Sequence, residues 1–253
     1  MSDQYLLKGN GLAYAGCPKW MATDNEGNFN ESMLDSNWRD KWEQVKITYD
    51  LNSQGYRAKE WSEYDWENTV VMVGDSCTTG VGIPNNLTVS EILSRRMGKE
   101  VVNLGVNGSS NTFMLYNLAR VVKHFNPYAV IVQWSVSDRY VNFSEESTGN
   151  IRIEHRGNWS EDLAYKRYWV KNDNFLFQDF ELKNVASCLN IKRFVDYVPE
   201  CWTNQKFQKR TNTLSWIKND HERARDRGHP NGIVYERWAN TILEDFEKNG
   251  WLD

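Results

Sequence analysis

From residue 69 onward the chain alternates short apolar runs with longer amphipathic stretches. "TVVMVG" (69–74) is a near-continuous apolar run, the pattern of a parallel strand covered on both faces. "TVSEILSRRMG" (88–98) reads as a helix, with Thr88 and Glu91 as a capping box and Gly98 as its stop. "EVVNLG" (100–105) predicts a second strand. "SNTFMLYNLARVVKHFNP" (110–127) predicts a helix with Leu115, Leu118, Val122 and Phe125 on one stripe, closed by Pro127. "YAVIVQW" (128–134) is a third buried strand. Strand, helix, strand, helix, strand at this spacing means right-handed crossovers and a parallel sheet.

The remaining segments are less regular. Residues 1–44 are rich in Gly, Asn, Asp and Trp and lack a clean period. They read as an irregular N-terminal extension with one short helix near "SMLDSNWRDKWEQ" (32–44). "VKITYDL" (45–51) alternates like a half-buried strand, and "NSQGYRAKEW" turns away at Gly55. Residues 142–173 are polar and aromatic without a period. "NFLFQDFELKNVASCLN" (174–190) predicts a helix and "IKRFVDYV" (191–198) a fourth strand, while 199–231 reads mostly as loop. "GIVYERWANTILEDFEKNG" (232–250) is a final helix with Val234, Trp238, Ile242 and Phe246 on one face. The expected organisation is an extension over 1–44 followed by one α/β domain over 45–253, carrying an aromatic-rich insertion at about 142–220.

Composition narrows the partners. A net charge of −4 and a pI of about 5.7 give no nucleic-acid footprint. No apolar run approaches the length of a membrane span, so no membrane partner is expected. "MSDQYLLKGNG" has neither the basic start nor the apolar core of a secretory signal, and the expected location is cytoplasmic or virion-associated. Cys17, Cys77, Cys188 and Cys201 form no C-x-x-C pair, so buried free thiols are expected rather than a zinc site or a disulfide framework. Twelve tryptophans are more than a core of this size calls for, and aromatic faces suit sugar rings and protein partners alike.

The first strand ends on Gly74-Asp75-Ser76. Such a tripeptide is either a polar-tipped turn or a nucleophile at the carboxyl edge of a sheet, where open α/β folds place their ligands. The second strand leads into "GVNGSSN" and the third into "SVSDRY". A serine nucleophile needs a base, and the chain has four histidines. His124 ends an amphipathic helix, where a dipole contact is expected. His155 and His221 lie in charged stretches and read as solvated. His229, in "RDRGHPNG" just before the last helix, has Asp226 three residues upstream. Either the carboxylate orients the ring, or it only binds backbone amides in a capping loop; spacing alone leaves both open. Cys77 reads as a packed small residue.

The ordered blocks "VVMVGDSCTTGVG", "VVNLGVNGSSN", "AVIVQWSVSDRY" and "DRGHPNG" together resemble the SGNH, or GDSL-type, hydrolase superfamily over roughly residues 45–250. The stretch "ITYDLNSQGYR" also looks like the strand that precedes the nucleophile block in that family. The resemblance implies a three-layer α/β/α sandwich around a mostly parallel, flavodoxin-like sheet. It implies a metal-independent serine esterase without a cofactor, with Ser76 as nucleophile, His229 as general base and Asp226 as its orienting acid. It also implies an oxyanion hole from the backbone N–H groups of Ser76 and Gly108. The family's third block ends Gly-x-Asn-Asp, where the asparagine is the third oxyanion donor. Here Ser135-Val136-Ser137-Asp138 stands in its place, so that Ser137 takes over, or Arg139 or Asn142 does, or the fold is kept for binding or assembly. Short acyl esters of carbohydrates are the expected substrates. The alternative is a catalytically weak or inactive structural or binding protein, a virion or surface component for example, whose N-terminal extension holds an assembly partner.

Overall fold

The computed structural model describes residues 9–10, 19–136, 139–145, 151–157, 189, 191–202 and 212–252. The strands in chain order are β1 (Val70–Gly74), β2 (Val101–Gly105), β3 (Ala129–Gln133), β4 (Tyr140–Glu145), β5 (Ile151–Arg156), β6 (Phe194–Pro199) and β7 (Asn212–Leu214). The helices are α1 (Glu26–Ser32), α2 (Ser36–Trp42), α3 (Ser76–Thr79), α4 (Val89–Met97), α5 (Asn111–His124) and α6 (Gly232–Lys248). Five strands form one all-parallel sheet in the order β2-β1-β3-β6-β7. This is the flavodoxin-like order, whose direction of winding reverses between β1 and β3; ligands of such sheets bind beyond the strand ends at that reversal.

Alternation along β1 explains the layers. Val70 and Met72 face one side, where they join Ile92 of α4 and Trp238, Ile242 and Phe246 of α6. Val71 and Val73 face the other, against Phe113, Leu118 and Val121 of α5. Both faces are therefore covered, which is why these strands carry apolar runs rather than alternation. Each fully buried large side chain contributes about 1.5–3 kcal/mol. The α6 face is as its spacing predicts: Val234, Trp238, Ile242 and Phe246 are all buried. On α5 the buried stripe is rotated from the expected one. Met114, Asn117, Leu118 and Val121 are buried, while Leu115, Val122 and Phe125 pack at its margin. The rotation brings Asn117 inward, where its amide donates to the Tyr56 hydroxyl at 2.7 Å.

Other expectations change. Residues 45–51 form no strand. Ile47 and Tyr49 are buried as alternation requires, but their segment wraps the sheet instead of joining it. Its polar contacts go to loops: Thr48 C=O accepts from Arg57, and the Tyr49 hydroxyl donates to Asp24 at 2.6 Å. Of residues 1–44, the part from Lys19 onward holds two short helices, and Met21, Trp38 and Trp42 belong to the main core. Within 142–220, β4 and β5 pair as an antiparallel hairpin, while β6 and β7 are strands of the central sheet. β7 escapes a pattern reading because it is three residues long with a buried side chain only at Leu214. Of the helix expected over 174–190, only Leu189 is among the described residues, where it forms a bend.

His155 is not solvated. It sits on β5, edge-on to the Phe113 ring with centroids 4.7 Å apart. Burial, aided by the charge of Arg139, lowers its pKa to about 4. His221 is exposed, in a short 3-10 turn. Cys77 is a core residue whose thiol burial holds well above the ordinary range. Cys77 and Cys201 are free thiols, and Cys17 and Cys188 lie outside the described residues.

Candidate active site

Ser76 stands at the junction of β1 and α3, directly beyond the carboxyl end of a central strand. The turn is tight for identifiable reasons. Asp75 is the N-cap of α3, its carboxylate accepting from Cys77 N–H at 2.9 Å. The short helix then packs directly on β1 and β2. A Cβ on Gly74 would lie 1.9 Å from Thr78 Oγ1, and one on Gly105 would lie 2.2 Å from the Thr79 backbone nitrogen. Only glycine fits at either position.

His229 reaches Ser76 from the far end of the chain. The loop carrying it is closed by the Arg223–Pro230 bridge, by Ala224 N–H donating to His229 C=O at 2.8 Å, and by the left-handed Arg227 at φ +59°. Arg225 N–H donates to Gly82 C=O at 3.0 Å, which ties this loop to the one following α3. The result is a continuous chain of contacts. Ser76 Oγ lies 2.8 Å from His229 Nε2, and His229 Nδ1 lies 2.6 Å from Asp226 Oδ2. The other carboxylate oxygen of Asp226 accepts from the backbone N–H groups of Gly228 at 3.2 Å and His229 at 3.1 Å. Both readings left open by the spacing are thus present at once: the carboxylate binds loop amides and also holds the ring.

Protonation follows from this geometry. Burial pushes the Asp226 carboxyl up, but the His229 charge, the His229 ring N–H and the Thr23 hydroxyl outweigh it and hold the pKa at about 2. The carboxylate therefore only accepts, so the proton between the two groups sits on Nδ1. Nε2 of the neutral ring is left as an acceptor for the Ser76 hydroxyl. For His229, burial favours the neutral ring, yet the charge and hydrogen bond of Asp226 prevail and raise its pKa above the ordinary value.

Of the residues expected to form an oxyanion hole, Ser76 and Gly108 are among the described residues. Val106 N–H donates to Gly74 C=O at 3.1 Å, so the loop after β2 leaves the sheet beside the β1–α3 turn. Gly108 in that loop has φ +69°, a conformation that favours glycine. Among the described residues, neither Ser76 N–H nor Gly108 N–H has an acceptor. Ser137 lies outside the described residues, as does Asp138.

Sequence reasoning misses two features. The first lies next to Ser76 in the chain. The fully buried Asp75 carboxylate accepts from Ser135 Oγ at 2.9 Å and from Arg139 Nη1 at 2.7 Å. Arg139 Nη1 also donates to Ser135 Oγ at 2.6 Å. Ser135, which stands where the family has glycine, thus has a defined partner. Arg139→Met should lower the unfolding free energy by about 3 kcal/mol, because the Asp75 charge would stay buried with only neutral donors. A urea melt that stays within about 0.5 kcal/mol of the parent would show the pair to be dispensable. The second feature is the contact of Thr23 with Asp226, at 2.5 Å.

Among the described residues, no group of three or more His, Cys, Asp or Glu side chains is placed to hold a metal ion. No described helix is long and apolar enough to cross a membrane.

No protein-family model matches the chain, and no curated protein matches it. Solved structures of GDSL-type hydrolases are similar to it at low identity. The psychrotrophic esterase EstA from a Pseudoalteromonas species is 11% identical, over 71% of this chain and 99% of that one, with a TM-score of 0.46. A member of the lipolytic G-D-S-L family from Veillonella parvula is 14% identical, over 71% of this chain and 98% of that one, with a TM-score of 0.42. The lipase/acylhydrolase from Enterococcus faecalis is 14% identical, over 72% of this chain and 96% of that one, with a TM-score of 0.41.

Proposed function

We propose that this chain is a serine-dependent carboxylic ester hydrolase of SGNH type that removes short acyl groups, acetyl foremost, from a carbohydrate. The observation that carries the hydrolase reading is the hydrogen-bonded series Ser76–His229–Asp226 at the switch point of the sheet. A serine hydroxyl is a weak nucleophile until a base takes its proton, and Nε2 of a neutral His229 is within reach to do so.

In this reading Ser76 Oγ attacks the ester carbonyl carbon and its proton passes to Nε2. The carbonyl π pair moves onto oxygen, and the N–H groups of Ser76 and Gly108 donate to that oxyanion, with the Ser137 hydroxyl as third donor. Collapse breaks the bond to the alcohol, which leaves with the proton from Nε2. Water then repeats the sequence on the acyl-enzyme. One lost oxyanion donor costs about 10²–10³ in rate, so a short hydroxyl in place of an amide makes for a slower enzyme rather than an inert one.

The substrate class rests on composition. Trp38, Trp42, Trp61, Trp134 and Trp238 are buried in the core and cannot face a sugar. We assign that role to the aromatics of 142–220, where tryptophans, tyrosines and phenylalanines are interspersed with charged and amide residues. Such a mixed composition suits a polar alcohol and a small acyl group better than a long chain.

A fluorophosphonate probe should label the protein at Ser76, and p-nitrophenyl acetate should turn over faster than the octanoate. Acetylated oligosaccharides should release acetate. A protein that neither labels nor hydrolyses any of these esters would be a binding scaffold, and the reading would be wrong. Faster turnover of the octanoate would overturn the acyl preference alone.

A further inference from the structure

We propose that Thr23, in the segment that precedes the sheet, is a positioning residue for the His229–Asp226 pair and completes the candidate site from the N-terminal side. The inference rests on the hydrolase reading above. Thr23 Oγ1 lies 2.5 Å from Asp226 Oδ2, the same oxygen that accepts from His229 Nδ1, and 3.5 Å from Nδ1 itself. The Asp226 side chain is fully buried, while Thr23 is exposed. The threonine therefore lies between the carboxylate and solvent. Because Asp226 is ionised, the hydroxyl must be the donor. With the two loop amides on Oδ1 and two donors on Oδ2, the plane of the carboxylate is set and Oδ2 is aimed at the ring.

Thr23 is held there by a turn built for the purpose. Met21 N–H donates to Asp24 C=O at 2.8 Å and Asp24 N–H to Met21 C=O at 3.0 Å, closing a two-residue turn over Ala22 and Thr23. Ala22 sits at φ +53°, a left-handed conformation that a residue with a Cβ adopts only when its surroundings impose it. Asp24, two residues on, supplies the restraint. Asp24 pairs with Arg225 through two hydrogen bonds of 2.8 and 2.6 Å, with both side chains buried. Asp24 also accepts from the Tyr49 hydroxyl, which in turn accepts from Gly82 N–H at 2.8 Å. Adjacent residues of the turn thus grip adjacent residues of the loop: Asp24 on Arg225, Thr23 on Asp226. A segment with no period of its own is held to the catalytic loop by buried charge.

Three ionised groups act on His229: Asp226 from its own loop, Asp75 from the β1–α3 turn and Arg139 from the start of β4. Thr23 modulates the first of these. Its hydroxyl draws charge off Oδ2, so its removal should leave the carboxylate a stronger partner for the imidazolium.

The test compares Thr23→Val, which keeps the shape without the hydroxyl, with Thr23→Ser, which keeps the hydroxyl. In the full chain, Thr23→Val should lower kcat on p-nitrophenyl acetate about tenfold, because misalignment of the ring outweighs the stronger carboxylate, with KM unchanged. The rising limb of the pH profile, and the His229 titration followed by NMR, should both move to higher pH. Thr23→Ser should keep the parent rate and both pH values. Parent-like kcat and titration in Thr23→Val would overturn the proposal. So would a loss in Thr23→Ser equal to that in Thr23→Val, or a rate loss that tracks a lowered Tm while His229 titrates as before. The NMR titration needs no turnover. If the parent hydrolyses no ester yet Thr23→Val moves the His229 titration, the contact stands and the hydrolase reading fails; the converse pattern sinks only the role of Thr23.

Discussion

Replacing Ser76 with alanine is expected to lower kcat on a short p-nitrophenyl ester by about 10⁵-fold or more, to the background left by binding and the oxyanion donors. The expectation follows from geometry. Ser76 Oγ is the atom hydrogen-bonded to His229 Nε2, and without it His229 has no hydroxyl to activate. Water taking its place would lack the fixed approach that the β1–α3 turn provides. The fold should be indifferent. Asp75 caps α3 through its own side chain, and Gly74 and Gly105 keep their close contacts. The loss is one neutral hydrogen bond, about 1 kcal/mol. Circular dichroism and a thermal melt close to the parent, together with undiminished hydrolysis by the purified variant, would sink the nucleophile assignment. Loss of fluorophosphonate labelling in the same variant would tie the chemistry to this one oxygen.

His229→Ala should cost as much as the loss of Ser76, because both groups act in one proton transfer. Asp226→Asn should cost less, about 10³–10⁴-fold. A carboxamide in place of Asp226 can present N–H to Nδ1, which would put the ring proton on Nε2 and remove the acceptor that Ser76 needs. The pH dependence has a definite sign. The active ring is neutral, and the charge of Asp226 raises the His229 pKa above its ordinary value of 6.5, so kcat/KM should rise with pH through a midpoint above 6.5. A limb near 4 would not belong to His229 and would overturn its assignment as the base.

Stability is linked to the same groups with opposite signs. The raised pKa of His229 means that its protonated form favours the fold. That contribution is complete below the unfolded pKa and is lost as pH rises through the folded value. Asp226, held at about 2 against an ordinary 3.8, contributes above 3.8 and loses its contribution as pH falls toward 2. Stability and activity should therefore part company as pH rises through the His229 midpoint, where hydrolysis by the neutral ring gains rate while the ion pair with Asp226 is lost. A profile in which both rise together through the His229 midpoint would contradict the assignment.

The amino-acid sequence by itself determines the elements whose causes are local. Apolar runs at 70–74, 101–105 and 129–133 need no distant partner to be recognised as buried strands, and Ser110 caps α5 through its own neighbour Phe113. It also determines the order of the chemical blocks, because Gly74-Asp75-Ser76 and Asp226-x-x-His229 are each contiguous. What it leaves open is whichever contact joins residues far apart with no period between them. The pairing of Ser76 with His229, expected only through the family resemblance, spans 153 positions, that of Thr23 with Asp226 spans 203, and that of Arg139 with Asp75 spans 64. No spacing rule encodes these distances; only the packing of the N-terminal turn and the late loop against one sheet edge brings them within 3 Å. The strand-like stretch at 45–51 shows the converse. Its alternation correctly places Ile47 and Tyr49 inside, yet burial alone does not choose a hydrogen-bonding partner. In the folded chain the Tyr49 hydroxyl goes to Asp24, and through it to the segment that carries Thr23. Periodicity records which side of a segment meets the core, a property each residue carries in its own side chain. Which polar group meets which is decided after collapse, when every buried charge must find a partner from whatever the fold has placed beside it.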